Sequence, residues 1–455
     1  MNIINPANQK LILSIDDDSK AGIHELFLKA RKAQQTWRHV SFAEKSAMMR
    51  KFSDLLIENI QRLALVLTRE TGKPVKQAVN EINAVTKRID YFINKTPEVM
   101  KSEMVFSDKG VSELLSYEPL GVIGCISAWN YPYFVGLNIL IPALLTGNAV
   151  LYKPSEISTL TGIEIVKLLL KSGIPEDVIA CIHGAAEQGR FLLDEDIDGL
   201  FFTGSYATGK KISETLAGRF IRTQFELGGK DPAYVTDDVN VRVAAESLAE
   251  GVFYNNGQSC CAVERIYVQE SIADEFIDIF LNTVKSYNKG NPELENTFLG
   301  PLARNAQLQL LNYQIEDALQ KGGRLVLGGP ETDLKQNYFT ATVLTNVNHK
   351  MEIMKEENFG PLIGIQKVAS DAEAADLMLD TEYGLTSAVY SKSENRAKEI
   401  LSHMNTGTVY WNACDRVSPH LPWTGRRHSG IGSTLSKSGI LAFLQPKAWH
   451  LRRMD

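Results

Sequence analysis

The chain has 455 residues, of which 44% are hydrophobic and 22% are charged, a composition typical of a folded protein with a large core. A chain of this length favours more than one domain. Its formal net charge of −6 at pH 7, with no Lys/Arg run interleaved with aromatic residues, argues against a nucleic-acid-binding surface.

The cysteines and the apolar segments exclude other classes of protein. The five cysteines are an odd number and widely scattered, so they form no disulfide framework and fit a reducing compartment better. No CxxC pair or HxxxH motif is present, and we predict no metal site. The first residues lack the basic and apolar regions of a signal peptide, and no stretch approaches the roughly 18 apolar residues of a membrane span. We therefore expect a cytoplasmic protein.

The N-terminal region predicts three amphipathic helices. Apolar residues recur at helical spacing over Ser19 to Trp37, Ser41 to Gly72 and Val75 to about Phe92. Ser41 and Glu44 form a capping box at the start of the second helix. None of these helices carries a chemical motif, so we interpret them as a helical cover on a sheet.

Strands and helices alternate over the next part of the chain. Val111 to Glu118 alternates apolar and polar residues, as a half-buried strand does. The alternation that follows predicts a parallel sheet with helices on both faces, as in a Rossmann-like dinucleotide domain. The predicted strands are Gly121–Ile126, Ala149–Tyr152, Val178–Ile182, Gly199–Phe202 and Arg222–Phe225, and the predicted helices are Phe134–Leu145, Ile163–Leu170, Glu187–Leu193 and Gly209–Leu216.

A second α/β pattern begins beyond Gly228-Gly229, where we expect the chain to cross between domains. The sequence has no low-complexity linker, so we expect the domains to pack together. The predicted helices are Val241–Phe253, Ile272–Tyr287, Ala306–Lys321 and Ala372–Leu379, the predicted strands are Ile266–Val268, Val343–Leu344, Ile363–Val368 and Ser387–Tyr390, and the segments Thr408–Asn412 and Gly439–Arg452 are strand-like.

A carboxylate and a thiol flank one of these βα units. Glu226 precedes a Gly-Gly turn, and Cys260 ends the run Gly-Gln-Ser-Cys. The chain between them is long enough to return both ends to one cleft. A thiol facing a carboxylate can perform covalent catalysis, in which the sulfur attacks and the carboxylate later activates a water. Taken singly, Cys260 is more commonly a buried core residue, and Glu226 is more commonly a solvated turn residue.

Three further motifs are candidates for binding a ligand or an oxyanion. Gly204-Ser205 follows a strand and opens a helix, whose free N–H groups can hold a phosphate; a routine strand-to-helix turn explains it equally well. Lys153 and Glu156 follow the carboxyl end of a strand, where ligands bind in such sheets, and a solvated pair is the alternative. Asn130 precedes a Tyr-Pro turn, where its amide either donates to an oxyanion or simply forms the turn.

Together these motifs resemble the aldehyde dehydrogenase superfamily. The Glu-Leu-Gly-Gly-Lys box at 226–230, the Gly-Gln-x-Cys box at 257–260 and the Glu-Asn-Phe-Gly-Pro box at 357–361 occur in the family's order. The resemblance covers the chain from about Pro119 to Gly430. It departs from the family in the late loop, with Thr424 where a second glycine is usual and Arg427 where lysine is usual.

The resemblance implies an α/β fold of the aldehyde dehydrogenase type. Residues 1–105 and 119–228 would form a Rossmann-like NAD-binding domain, residues 229–415 an α/β catalytic domain, and residues 106–118 and 436–455 a small β oligomerisation element. The implied activity is NAD(P)-dependent oxidation of an aldehyde to the carboxylic acid by a homodimer or homotetramer. Hydrolysis is favoured over transfer to coenzyme A, because Glu226 supplies a water-activating base.

The resemblance also assigns roles to single residues. Cys260 would be the nucleophile that forms a thiohemiacetal and then a thioester, Glu226 the base, and Asn130 an oxyanion donor beside the Cys260 N–H. A carboxylate at Glu156, near the 2′-hydroxyl of the adenosine ribose, favours NAD, with NADP the second candidate. The implied cofactor-binding residues are Ile126, Trp129, Lys153, Glu156, Gly204, Ser205, Leu227, Glu357 and Phe359.

The substrate stays open at this point. Tyr131, Tyr254 and Trp423 are implied to line the aldehyde tunnel, either as a box for an ammonium group, as in betaine aldehyde and aminoaldehyde dehydrogenases, or as plain apolar walls. Asn138 stands where those enzymes commonly have tryptophan. No pair of arginines is placed to recognise a carboxylate-bearing semialdehyde, although Arg416 could reach the tunnel mouth.

Two other classes of function compete with this interpretation. A cysteine hydrolase needs a histidine beside the thiol, and none of the eight histidines lies in a motif near Cys260. A non-catalytic scaffold of the same fold would be marked by loss of Cys260, Glu226 or Asn130, and all three are present.

Overall fold

The computed structural model describes residues 1–331 and 336–454. The helices within these residues are, in chain order, α1 (Lys20–Trp37), α2 (Phe42–Glu58), α3 (Ile60–Thr71), α4 (Val75–Met100), α5 (Pro132–Leu145), α6 (Thr159–Ser172), α7 (Ala186–Asp194), α8 (Tyr206–Leu216), α9 (Val241–Phe253), α10 (Ala273–Lys285), α11 (Asn305–Gln320), α12 (Asp371–Leu379), α13 (Glu394–Ser402) and α14 (Ser436–Leu441).

Two N-terminal helices differ from their predicted bounds. Ser41 caps α2 as predicted, but the chain leaves helical geometry at Asn59 and α3 then begins, so the prediction of one helix over 41–72 is wrong. Helix α4 runs on to Met100, beyond the predicted end near Phe92, because its buried stripe continues as far as Val99. No helix in the described ranges is both long and apolar enough to cross a membrane.

The described residues also form eighteen strands. They are β1 (Asn2–Ile4), β2 (Leu11–Ser14), β3 (Glu103–Asp108), β4 (Val111–Pro119), β5 (Val122–Ile126), β6 (Ala149–Lys153), β7 (Ile179–Cys181), β8 (Gly199–Thr203), β9 (Arg222–Glu226), β10 (Asp231–Val235), β11 (Val263–Gln269), β12 (Arg324–Leu327), β13 (Thr342–Thr345), β14 (Leu362–Val368), β15 (Thr386–Tyr390), β16 (Thr408–Trp411), β17 (Gly430–Ile431) and β18 (Leu444–Arg452). The segment predicted as strand-like from Gly439 opens instead with the end of α14, and its strand is β18.

The first large sheet has the strand order β17-β9-β8-β5-β6-β7. Strands β5 to β9 are mutually parallel and β17 is antiparallel to β9. Alternate residues of β5 and β6 face two different cores: Ile123 and Tyr152 pack with α2 to α6, while Val122 and Leu151 pack with α1, α7 and α8. Burial on both faces explains the continuous apolar runs of these strands, and it confirms the predicted parallel sheet with helices on both sides.

The second large sheet has the strand order β12-β13-β14-β11-β10-β15-β16. Its strands are parallel except for β12, which runs antiparallel to β13. The chain passes from the first sheet to the second between Glu226, the last residue of β9, and Asp231, the first residue of β10. The residues of this short connection therefore lie between the two sheets.

A third sheet joins distant parts of the sequence. Strand β4 pairs antiparallel with β3 on one side and with β18 on the other. Side chains of β3 are exposed along its whole length. Exposed large apolar residues of this sheet include Met104, Val105, Phe106, Trp449 and Leu451. The two short strands β1 and β2 form a separate antiparallel pair.

Candidate active site

A cavity of about 630 Å³ opens at one edge of the first sheet. Its lining includes Ile126, Lys153, Thr203 and Glu226, which are the last residues of β5, β6, β8 and β9. Ligands of open parallel sheets bind outside the carboxyl ends of the strands, and the volume lies within the range of small-molecule sites. The cavity also reaches Cys260 and Glu357, which belong to the part of the chain that builds the second sheet.

The loop before Cys260 has an unusual backbone. Asn255 and Asn256 both have positive φ, 53° and 57°, and Gly257 has a φ of 67°. A Cβ at Gly257 would lie 2.3 Å from the carbonyl oxygen of Gly360, so this approach requires glycine. The Asn255 side-chain amide donates to the carbonyl oxygens of Asn130 and Gln258, at 3.1 and 3.0 Å. These contacts tie the cysteine loop to the segment after β5.

The two adjacent cysteines lie in different environments. Cys260 is partly exposed and lines the cavity. Cys261 is buried, and its thiol donates a hydrogen bond to Asp415 Oδ1 at 3.0 Å. The hydrogen bond with Cys260, burial and the charge of Asp415 raise the pKa of Cys261 well above its usual value. Since the thiolate is the nucleophilic form, Cys261 is held in the unreactive form.

Glu226 borders the same cavity as Cys260. Its carboxylate is buried and accepts hydrogen bonds from the Thr434 hydroxyl and from Gln224 Nε2, the latter at 3.3 Å. Burial raises the pKa of Glu226 to about 7, opposed by the Thr434 hydrogen bond and the charge of Arg88. A carboxyl with this pKa can accept a proton near neutral pH, as general-base catalysis requires.

Asn130 also lines the cavity, in the turn between β5 and α5. Its side chain is buried, and Nδ2 donates to the carbonyl oxygen of Gln258 at 3.2 Å. This hydrogen bond fixes a neutral amide donor next to the loop that carries Cys260. The sequence separates Asn130 from that loop by more than a hundred residues, yet the fold brings them into contact.

Every residue that the sequence analysis placed at the cofactor lies on this cavity. Phe359 packs edge-on against Trp129, with ring centroids 5.6 Å apart. Ser205 caps α8 and accepts a hydrogen bond from the Thr208 N–H at 3.3 Å. The lining residues in question are Ile126, Trp129, Lys153, Glu156, Gly204, Ser205, Leu227, Glu357 and Phe359.

A buried ion pair that the sequence analysis did not identify holds the segment at 357–359. Glu264 accepts hydrogen bonds from Lys230 Nζ at 2.9 Å and from the backbone N–H groups of Asn358 and Phe359, at 2.8 and 2.9 Å. Lys230 Nζ also donates to Asn358 Oδ1 at 2.8 Å. The sequence did indicate this ion pair, because Glu264 lies within an apolar strand, where a charged residue needs a partner.

The three aromatic residues predicted for the aldehyde tunnel do not line this cavity. Tyr131 stacks on Phe134, the Tyr254 hydroxyl accepts a hydrogen bond from Asn80 at 3.2 Å, and Trp423 is buried beside Thr434. A substrate role for Tyr131, Tyr254 and Trp423 therefore stays a prediction. The described residues contain no group of three or more His, Cys, Asp or Glu that could hold a metal ion.

Comparison with known proteins decides the family. A profile described as the aldehyde dehydrogenase family matches residues 1–449. The chain belongs to the aldehyde dehydrogenase family. It is therefore an oxidoreductase that acts on aldehydes, and the sequence resemblance is confirmed over almost the whole chain.

Similar members of the family differ in their substrates. A putative succinate-semialdehyde dehydrogenase (NADP(+)) of Mycolicibacterium smegmatis is 34% identical over 92% of this chain and 82% of its own length. The betaine aldehyde dehydrogenase of Bacillus subtilis is 30% identical over 98% of this chain and 93% of its own length. The crystal structure of a betaine aldehyde dehydrogenase from Staphylococcus aureus in complex with NAD+ has a TM-score of 0.95 at 30% identity, covering 99% of this chain and 92% of that one.

Proposed function

We propose that this protein oxidises an aldehyde to a carboxylic acid with NAD(P), through a covalent adduct on Cys260. The observation that carries the proposal is that Cys260, Asn130 and Glu226 border one cavity at the carboxyl ends of the first sheet's strands. A nucleophile, an amide donor and a carboxyl with a pKa near 7 are the groups that such a reaction needs.

Cys260 would attack the aldehyde carbon as its thiolate. A carbon–sulfur bond forms, and the carbonyl electron pair moves onto the oxygen, which becomes an oxyanion. The Asn130 amide and the Cys260 N–H are the donors we assign to that oxygen, since both are neutral and Asn130 is held by a hydrogen bond at 3.2 Å. Bound NAD(P) would supply the hydride acceptor that converts the adduct to a thioester.

Glu226 would then activate the water that releases the acid. The carboxylate takes a proton from water, the resulting hydroxide attacks the thioester carbon, and the Cys260 thiolate leaves. Burial, which raises the pKa of Glu226 to about 7, makes it a stronger base than an exposed glutamate. A base in this position favours release of the free acid over transfer of the acyl group to another thiol.

The cavity residues fit a dinucleotide. Lys153 and Glu156 would take the adenosine ribose, and the amino terminus of α8 at Ser205 would take the diphosphate. Glu357 and Phe359 would lie at the nicotinamide end, near Cys260. The carboxylate of Glu156 favours NAD over NADP, because it would repel a 2′-phosphate; among the relatives, one is named for NADP(+) and another was crystallised with NAD+.

A cysteine hydrolase is the alternative. It needs a histidine near the thiol, and no histidine lines the described part of the cavity. The test is an aldehyde panel with NAD and with NADP, and a simple ester with and without the dinucleotide, read as reduced nicotinamide and as acid formed. Equal amounts of both products support the proposal. Ester hydrolysis without nicotinamide reduction would instead indicate a hydrolase, and no turnover of either kind would indicate a scaffold.

We also propose that the protein is a homodimer or a homotetramer that associates through the third sheet. The exposed apolar residues on β3 and β18 support this surface, because an unpaired sheet edge readily pairs with another chain. Light scattering on the intact protein and on a Phe106→Lys variant tests this proposal. The variant is expected to have a lower average molar mass in solution than the wild type.

A further inference from the structure

Helix α4 carries a buried arginine close to the proposed active site. Arg88 is 6% exposed. Its Nη1 donates to Asn138 Oδ1 at 3.1 Å, and its guanidinium carbon lies 3.7 Å from the ring centre of Phe134. Both partners are on α5. A guanidinium has five N–H donors, and within the described residues the structure shows one hydrogen bond from this side chain and no ion pair.

The carboxylates around Arg88 are held by other donors. Glu81 forms a buried ion pair with Lys73 and accepts the Tyr133 N–H at 2.9 Å.

Glu226 accepts hydrogen bonds from Thr434 and Gln224, as described above. Burial lowers the pKa of Arg88 to about 10, so its charge persists at neutral pH. A buried cation without a counter-ion is costly to the fold, and such a site can be completed by an anionic ligand.

Arg88 does not itself line the cavity, but its two contacts lie on helix α5, which borders the cavity. Helix α5 begins beside Asn130, Val135 lines the cavity, and Asn138 follows one helical turn later. Phe134, which supports the guanidinium, packs against the same apolar cluster as Cys260. The charge of Glu226 also acts on Arg88.

The rings of Tyr131 and Phe134 each already have a protein cation over one face. Lys73 Nζ lies 3.7 Å from the ring centre of Tyr131, as Arg88 does from that of Phe134. The two rings are nearly parallel, at 12°, with centroids 5.8 Å apart. A substrate ammonium group binds an aromatic face, but here it would meet two cations. The predicted box for an ammonium group at Tyr131 is therefore disfavoured.

We propose that Arg88 binds a carboxylate at the far end of the substrate, so that the preferred substrates are aldehydes with a terminal carboxylate, the semialdehydes of dicarboxylic acids. Asn138 orients the guanidinium and Phe134 supports its face. The inference rests on the proposed aldehyde oxidation at Cys260 and adds the class of aldehyde. The planar fork of arginine matches a carboxylate in bidentate geometry.

The first test uses the wild-type protein and three aldehydes with saturating NAD or NADP: 4-oxobutanoate, its methyl ester, and trimethylammonioacetaldehyde. The ester is the matched neutral control. If the Arg88 guanidinium hydrogen-bonds the substrate carboxylate, kcat/KM for 4-oxobutanoate should exceed that for the ester by about 10- to 150-fold. The ammonium aldehyde is expected to be the poorest of the three. Equal values for acid and ester would overturn the inference and leave the proposed function intact, whereas no oxidation of any aldehyde would overturn both.

The second test changes the arginine. R88M keeps the length and the packing on Phe134 but removes the charge, and we expect the acid-to-ester ratio of kcat/KM to fall to near one, mainly through KM for the acid. R88K should retain part of the ratio. K87M removes an exposed charge from the neighbouring position and should leave the ratio unaltered. A ratio that survives in R88M would show that the arginine is structural. If R88M does not fold, R88K and the wild-type panel still decide the matter.

Discussion

Cys260 and Cys261 are adjacent in the chain, but the first thiol opens on the cavity and the second donates a 3.0 Å hydrogen bond to Asp415. This arrangement assigns different chemistry to the two sulfurs. The hydrogen bond with Cys260, burial and the nearby carboxylate keep Cys261 protonated, because they raise its pKa. Reactivity towards an electrophile therefore falls to Cys260.

Replacement of the two cysteines should separate their roles. We expect Cys260→Ala to abolish aldehyde oxidation, because no other thiol lines the described part of the cavity. Cys261→Ala should keep most of the activity, with a loss of stability of about 1 kcal/mol as for an ordinary small core truncation. Reduced nicotinamide formation measures the first effect and urea unfolding the second. Mass spectrometry after brief iodoacetamide treatment should locate the label at Cys260. Equal loss of activity in both variants would contradict the assignment.

The pH dependence of product release should follow Glu226. Because burial raises its pKa to about 7, the carboxylate is protonated below that pH, and hydrolysis of the thioester should rise through about pH 7 and then level off. Glu226→Gln should slow hydrolysis by about 10²–10⁴-fold, leaving a single burst of reduced nicotinamide. Stopped-flow absorbance measures both.

Thr434→Val provides a graded control for this profile. The Thr434 hydrogen bond lowers the pKa of Glu226, so its loss should move the midpoint to higher pH. A midpoint unchanged in Thr434→Val, or a flat profile in the wild type, would show that another group limits the rate.

The Lys73–Glu81 pair should matter to stability. Both side chains are 1% exposed, so Lys73→Met leaves a buried carboxylate without its counter-ion, and we expect a loss of about 3–5 kcal/mol in the free energy of unfolding. Lys76→Met, at an exposed position of α4, the helix that carries Glu81, should stay within about 0.5 kcal/mol of wild type. The double variant Lys73→Met/Glu81→Gln should recover much of the loss, because glutamine keeps an acceptor for the Tyr133 N–H. Urea unfolding compares the four proteins.

Glu156 should set the choice of dinucleotide. It is exposed and lines the cavity beside Lys153. Removing its charge in Glu156→Ala should raise kcat/KM for NADP relative to NAD by about 10-fold, which corresponds to a repulsion of about 1.4 kcal/mol. Glu214→Ala, at the far end of α8, is the control. An unaltered ratio in Glu156→Ala would place the 2′-hydroxyl elsewhere.

The parallel sheets were predictable because their strands are buried on both faces and read as continuous apolar runs. Strand β10 was missed because Asp231 and Pro232 are unfavourable in strands; Asp231 is accommodated by Thr386, whose N–H and hydroxyl both bond its carboxylate. The cavity residues could be assembled from the motifs: those of the first sheet follow strand ends, while the boxes at Cys260 and Glu357 precede β11 and β14 and were placed by the family resemblance. The buried charges of α4 could not, because helical periodicity does not show which element covers each face.

The hydrogen bond from Thr434 to Glu226 spans 208 positions of the sequence, and β17 pairs with β9 just beside it. A ribosome that has just made strands β5 to β9 and the cysteine loop has therefore not yet made β17 and Thr434, which enclose Glu226. During synthesis, Cys260 is made well over a hundred residues before Thr434, which bonds the Glu226 carboxylate. A nascent chain at that stage carries both proposed catalytic side chains but lacks the segment that encloses Glu226, so we expect activity only after the late segment is complete.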